Sequence, residues 1–166
     1  MGYKKGSELS AETSAMHLLL EHLKNDARSS LRLQTISSAS ASGVVEYRIG
    51  RVVSSPDNPN EVIALESRYL FDQSKATIIR REYDCSTGTI LSEKDFVFKT
   101  DTLNFELKKE DDQAPIDIGL MVNVDGVDKE LNLKINSTYN AEHSRSYKFH
   151  TIDQSILNYR RQDGPV

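Results

Sequence analysis

The sequence predicts an α+β fold in two layers, an N-terminal amphipathic helix packed on an antiparallel β-sheet meander, and three observations predict it. Met16, Leu19, Leu20, Leu23, Ala27 and Leu31 recur at three- and four-residue steps within "SAMHLLLEHLKNDARSSLRLQ", which sets them on one face of a helix for helix–sheet packing. Beyond residue 43 the chain instead alternates apolar and polar residues, the period of half-buried strands. Clusters of Ser, Asn, Asp, Gly and Pro punctuate those segments where turns belong. Helix stripe and sheet face are the only apolar surfaces on offer, so each is expected to cover the other.

The elements follow in order. Ser7, Ser10 and Thr13 are candidate N-caps for the helix, and "SSASASG" ends its periodicity. In "VVEYRIGRVV", Val45, Tyr47 and Ile49 oppose Glu46, Arg48 and Gly50, which predicts a strand. "SSPDNPN" cannot continue it, because its prolines remove ladder donors. "EVIALESRYLFD" fits either a strand or a short helix. "KATIIRREYD" alternates Ile79, Arg81 and Tyr83 against Ile78, Arg80 and Glu82 and reads as a strand, and "CSTGTI" as a turn. "TDTLNFELKKED" sets Leu103, Phe105 and Leu107 against Asn104, Glu106 and Lys108. The strongest hairpin signal is "GLMVNVDGVDKELNLKI", which turns at Asp125-Gly126; the linker "VDGVDKE" is longer than a two-residue turn and predicts a bulge. After Tyr139 the composition becomes polar and weakly periodic, as for an edge strand or loop followed by a tail.

Composition bounds the function. A chain of 166 residues with 37% apolar and 28% charged residues makes one domain with a modest core. A net charge of −4 with basic residues scattered in pairs speaks against a nucleic-acid partner. The single cysteine, Cys85, allows neither an intrachain disulfide nor a cysteine-based zinc site, and a turn residue is its plain reading beside that of a nucleophile. No apolar run is long enough to cross a bilayer, and "MGYKKGSELS" has no signal-peptide core. Gly2 does not begin a myristoylation motif, since Gly6 stands where Ser or Thr is needed.

The search for chemistry returns little. His17 and His22 lie five positions apart, about 140° around a helix, and cannot share a metal. His143 and His150 have no companion ligands, and the H-E-x-x-H, G-x-S-x-G, P-loop and G-x-G-x-x-G patterns are missing. Glu110, Asp111, Asp112 and Asp117 form an acidic loop that could gather around Ca²⁺, but it lacks EF-hand order, and Pro115 restricts it. A solvated loop without a tight calcium site is expected. Asn136-Ser137-Thr138 is a glycosylation sequon, meaningful only in a secreted eukaryotic chain. No catalytic, cofactor-binding or metal residues are assigned and no cofactor is expected, which shifts weight toward a structural, non-enzymatic protein.

The succession "LKNDARSS", "VVEYRIG", "ATIIRREYD", "TDTLNFEL", "IGLMVNVDG" and "KELNLKINSTY" resembles the soluble part of minor pilins and J-type pseudopilins of type IV pilus, type II secretion and competence systems. The resemblance covers residues 14–139 and implies a pilin-like fold, with 1–13 a vector-derived or flexible start and 140–166 a polar C-terminal strand or tail. It implies a filament subunit acting in assembly or initiation. Its partners would be other pilin or pseudopilin subunits and the inner membrane, reached through a helix that this chain does not carry. Its place would be first the bacterial inner membrane and then an extracytoplasmic filament. Two rival expectations stand beside it. One is a soluble α+β module with no filament role, holding a ligand between helix and sheet or binding a protein. The other is an enzyme whose residues gather from distant positions, for example Asp26, His143 and Tyr147.

Overall fold

A computed structural model describes residues 2–37, 43–58, 61–100, 102–111 and 113–138, with the side chains of 2–13 and of Val124 left aside. The first element is α1 (Gly2–Arg28), so Ser7, Ser10 and Thr13 lie within it and not at its N-terminal boundary. The helix stops where serines take over its last carbonyls. The Ser29 hydroxyl donates to Asn25 O at 3.1 Å and the Ser30 hydroxyl to Ala27 O at 2.6 Å, while Thr138 N–H reaches Arg28 O at 2.9 Å. The residues just beyond, over which the helical periodicity continues in the sequence, form β1 (Ser30–Ser37). Leu31 therefore belongs to a strand. It stands at a register break between Ser30 and Arg32, and it packs with Val52, Ala64 and Cys85 apart from the main core.

The strands β2 (Val44–Ser54), β3 (Val62–Asp72), β4 (Thr77–Asp84) and β5 (Ile90–Val97) follow β1 in one antiparallel sheet of order β1-β2-β3-β4-β5. β6 (Thr102–Lys108), β7 (Ile116–Val124) and β8 (Val127–Ile135) form a second, three-stranded antiparallel sheet. "EVIALESRYLFD" resolves as strand rather than helix. The β7–β8 turn is tighter than its linker suggested: Val124 pairs with Val127, leaving Asp125 and Gly126, both at positive φ (53° and 78°), as a two-residue turn with no bulge.

This corrects the expected α+β fold. The described chain is β-rich, eight strands in two sheets with a single helix, and not one pilin-like meander under a helix. The physical reason lies in the supply of apolar surface. β6 and β7 bring Leu103, Phe105, Leu107, Ile116, Ile118, Leu120 and Val122, all buried, on one face. The α1 stripe of Met16, Leu19, Leu20, Leu23 and Ala27 is too narrow to cover that face and the first sheet as well. The two sheets therefore share one core with the helix. Phe105 is the junction: the rings of Tyr47, Tyr69 and Phe71, from the other sheet, stand 5.5, 6.1 and 6.0 Å from it. Residues 140–166, expected as a strand or tail, lie outside the described residues.

Candidate functional site: a buried acid–arginine cluster and an open sheet edge

The interior holds an unusual amount of charge. Asp26, in the last turn of α1, continues the apolar stripe three residues after Leu23, and only 1% of its surface is exposed. Its carboxylate is met by residues from the inward faces of three strands. Arg80 of β4 holds it in two places, Nε to Oδ2 at 3.0 Å and Nη2 to Oδ1 at 2.9 Å. Arg51 of β2 approaches Oδ1 at 3.1 Å, and the Tyr69 hydroxyl of β3 donates to Oδ2. Glu82 completes the group, accepting from Arg51 Nη1 at 2.8 Å and Arg80 Nη2 at 3.2 Å, while the Ser67 hydroxyl accepts from Arg51 at 3.1 Å. Two carboxylates thus face two guanidinium groups, and the cluster is neutral as a whole.

The electrostatics follow from that closure. Burial pushes the Tyr69 phenol well above its usual range, and the neighbouring Asp26 charge pushes it further, so its proton is not available for chemistry near neutrality. Burial opposes the charge on Arg80, but its bonds to Asp26 and that carboxylate's charge outweigh it and raise the pKa. His22, half-buried one turn before Asp26 and edge-on to Phe96 at 6.1 Å, is held below its usual value, first by burial and then by the charge of Arg80. A tyrosine, an aspartate and two arginines in hydrogen-bond contact could in principle do proton chemistry. Here every partner is spent on another, and the arrangement ties the end of the helix to β2, β3 and β4.

The outward face of the same sheet is also charged and buried. Arg48 and Arg68 lie directly opposite each other across β2 and β3, each bonded to a glutamate two residues away on its own strand, Glu46 at 2.8 Å and Glu66 at 2.6 Å. The Arg68 guanidinium also lies 4.0 Å from the centre of the Tyr83 ring. Glu66 Oε2 has no hydrogen-bond partner among the described residues.

Open grooves lie elsewhere. Two are shallow depressions of about 350 and 380 Å³, one across the outside of the three-stranded sheet around Gly119, the other beside Tyr47 and Lys109. Neither touches the Asp26 cluster, and neither lies between helix and sheet, where the ligand-binding rival needs its cavity. β5 is exposed along most of its length. Among the described residues it pairs only with β4, and Ile90, Leu91 and Val97 stand 49, 50 and 63% exposed.

The residues singled out from sequence are placed as follows. Met16, Leu19, Leu20, Leu23 and Ala27 are buried in the shared core, while Leu31 joins the smaller cluster already described. Glu110 and Asp111 lie exposed in the β6–β7 loop, whereas Asp117 sits on β7, 3.8 Å from Lys134; Asp112 lies outside the described residues. Among the described residues no group of three or more His, Cys, Asp or Glu side chains is arranged to hold a metal. His17 is exposed, and His143, Tyr147 and His150 lie outside the described residues, so of the candidate enzyme trio only Asp26 is placed. Cys85 is half-buried in the β4–β5 turn, its N–H donating to Ala64 O at 3.1 Å. The Ser137 and Thr138 hydroxyls of the sequon donate to carbonyls of Ser30 and Arg28. Among the described residues no helix is long and apolar enough to cross a membrane.

Sequence reading missed Arg51, Tyr69 and Arg80 as partners of Asp26, and Glu82 as the second carboxylate on the two arginines. The signal was there in part: an aspartate on an apolar stripe, and Arg80 and Glu82 sharing a strand face with Ile78. A scan against protein-family models, a search of curated proteins and a search of solved structures each returned no match.

Proposed function

We propose that this chain is a non-enzymatic interaction subunit that joins an assembly of other proteins through the β5 edge of its five-stranded sheet, which pairs only with β4 among the described residues. The observation that carries the reading is β5, an eight-residue edge strand with three large apolar side chains in solvent. The bonding around Asp26 supports it, since the described charged residues there hold one another and the end of the helix. A net charge of −4 makes nucleic acid an unsuitable partner.

A narrower form has the chain as a minor pilin or J-type pseudopilin in the assembly or initiation of a type IV pilus-like or type II secretion filament. The order of motifs from "LKNDARSS" to "KELNLKINSTY" supports it. It adds neighbouring pilin subunits as partners, an inner-membrane anchor and an extracytoplasmic filament as the location. Both forms are tested by placing a photo-crosslinking amino acid at position 91 in the source cell, with position 127, an exposed valine on the other sheet, as control. One defined protein adduct from position 91 and none from 127 is expected. Equal labelling from both, or none from 91, overturns the reading. The narrower form also requires the adduct to be a filament subunit.

A further inference from the structure

The edge of β5 carries a charge pattern that states what can lie against it. Resting on the interaction reading above, we propose that β5 accepts a strand from a different protein, added antiparallel, with two apolar residues followed by basic, acidic and basic residues. The backbone geometry comes first. Phe98 N–H donates to Ala76 O at 3.0 Å, and hydrogen-bonded and non-bonded pairs alternate along an antiparallel ladder. With Val97 registered on Thr77, the N–H and C=O groups of Val97, Asp95 and Glu93 therefore point away from β4 to the open edge. An added strand completes those bonds without any change in β5.

Side chains then set the sequence. Val97, Asp95 and Glu93 share one face of the sheet, with Phe96 and Lys94 on the other. Opposite them an antiparallel newcomer presents, in order from its N-terminal end, an apolar residue to Val97, an apolar residue to Phe96, a base to Asp95, an acid to Lys94 and a base to Glu93. Opposite charges directly across a strand pair stabilise it and like charges destabilise it.

The same rule disfavours a second copy of this chain in the registers that pair most of β5. Two identical strands pairing antiparallel about a two-fold axis must set some residue against itself. Centring on Glu93 or on Asp95 opposes two carboxylates. Centring on Lys94 opposes two ammonium groups and, beside them, Glu93 with Asp95. Centring on Ser92 sets Glu93 and Lys94 against Leu91 and Ile90. The charges that keep β5 from pairing with itself are also those that select a strand of inverse charge.

The test uses the full chain and two fluorescent peptides, acetyl-Thr-Val-Ile-Lys-Glu-Lys-Thr-amide and its charge-inverted form acetyl-Thr-Val-Ile-Glu-Lys-Glu-Thr-amide, read by anisotropy. The first binds at least tenfold more tightly than the second. N-methylation of its first lysine, which removes the N–H facing Asp95, abolishes binding. The triple exchange Glu93→Lys, Lys94→Glu and Asp95→Lys, made together with Arg81→Glu so that the 2.8 Å pair of Glu93 with Arg81 on β4 is kept in reversed sign, retains the parent circular dichroism and reverses the preference. Equal affinities, failure to reverse, or no binding of either peptide overturns the proposal, as does a parent dimer that the triple exchange dissociates. A partner cross-linked from position 91 together with peptides that do not bind would remove strand addition and leave the interaction reading standing.

Discussion

The two sheets bury one core in opposite ways. The three-stranded sheet turns inward an apolar set, Leu103, Phe105, Leu107, Ile116, Ile118, Leu120 and Val122, whereas the five-stranded sheet sets Arg51, Ser67, Arg80 and Glu82 among its inward residues and meets them with Asp26. Apolar burial is non-directional, so the first arrangement holds its neighbours without specifying their angle. A carboxylate gripped in two places by a guanidinium fixes both distance and direction. The contrast teaches that the small sheet supplies adhesion while the large one sets the position of the helix along it.

The comparison can be broken most strongly at Asp26. Asp26→Ala leaves Arg51 and Arg80 buried with Glu82 as their remaining carboxylate and should cost about 3–5 kcal/mol in a urea melt. A loss below about 1 kcal/mol would mean the arginines escape to water and the helix needs no such fixing. In the apolar sheet, Leu120→Ala should cost about 3 kcal/mol through lost burial and a cavity, while Leu120→Met should cost less than about 1.5 kcal/mol. Arg80→Lys, the matching conservative change in the charged region, should be the worse tolerated of the two, because an ammonium cannot grip both oxygens.

Titration sharpens the contrast at smaller scale. His22 faces Arg80, Asp26, Lys94 and Glu82, and its folded pKa lies below the ordinary 6.5. The unfolded chain therefore takes up the proton first on acidification, and stability falls as pH drops through 6.5 toward the lower folded value. Above 6.5 His22 is neutral in both states and contributes nothing. His22→Gln should flatten this part of the pH dependence, measured as urea midpoints from pH 7.5 to 5; an unchanged slope would assign the effect to another group. Smallest of all, Lys108→Ala on the outside of the small sheet removes a 3.2 Å pair with Glu106 whose side chains are both more than half exposed. Its effect on the midpoint should stay within a few tenths of a kcal/mol.

What could be read beforehand divides along the same line. Period-two alternation marked β2, β4, β6, β7 and β8, where residue character changes at every second position whether the polar face is open, as on β6, or covered, as at Glu46 and Arg48 of β2. β5 escaped because "ILSEKDFV" places three consecutive charges in its middle; an edge strand with both faces largely in solvent has no alternation to display. The spacing of Leu31 fits the helix, and only the serine hydroxyls that take the helix's last carbonyls and the register break beside it decide otherwise. The split into two sheets was illegible for a different reason. Nothing local to residues 98–102 states that β6 leaves β5 and pairs with β7 instead. Likewise Asp26 could be seen to interrupt an apolar stripe, but its partners stand on strands whose register is a tertiary property.

The order of pairing also has a kinetic side. Within each sheet every strand lies beside its neighbour in the chain, so both sheets can zip up hairpin by hairpin with only short loops to close. The bond from Asp26 to Arg80 spans 54 residues and can form only after β2, β3 and β4 have aligned their side chains. It should therefore be absent from the folding transition state, and Asp26→Asn should accelerate unfolding while leaving the refolding limb of a stopped-flow chevron in place. The residue that fixes the helix would then act chiefly as a brake on its departure, giving the fold a lifetime longer than its speed of formation alone would set.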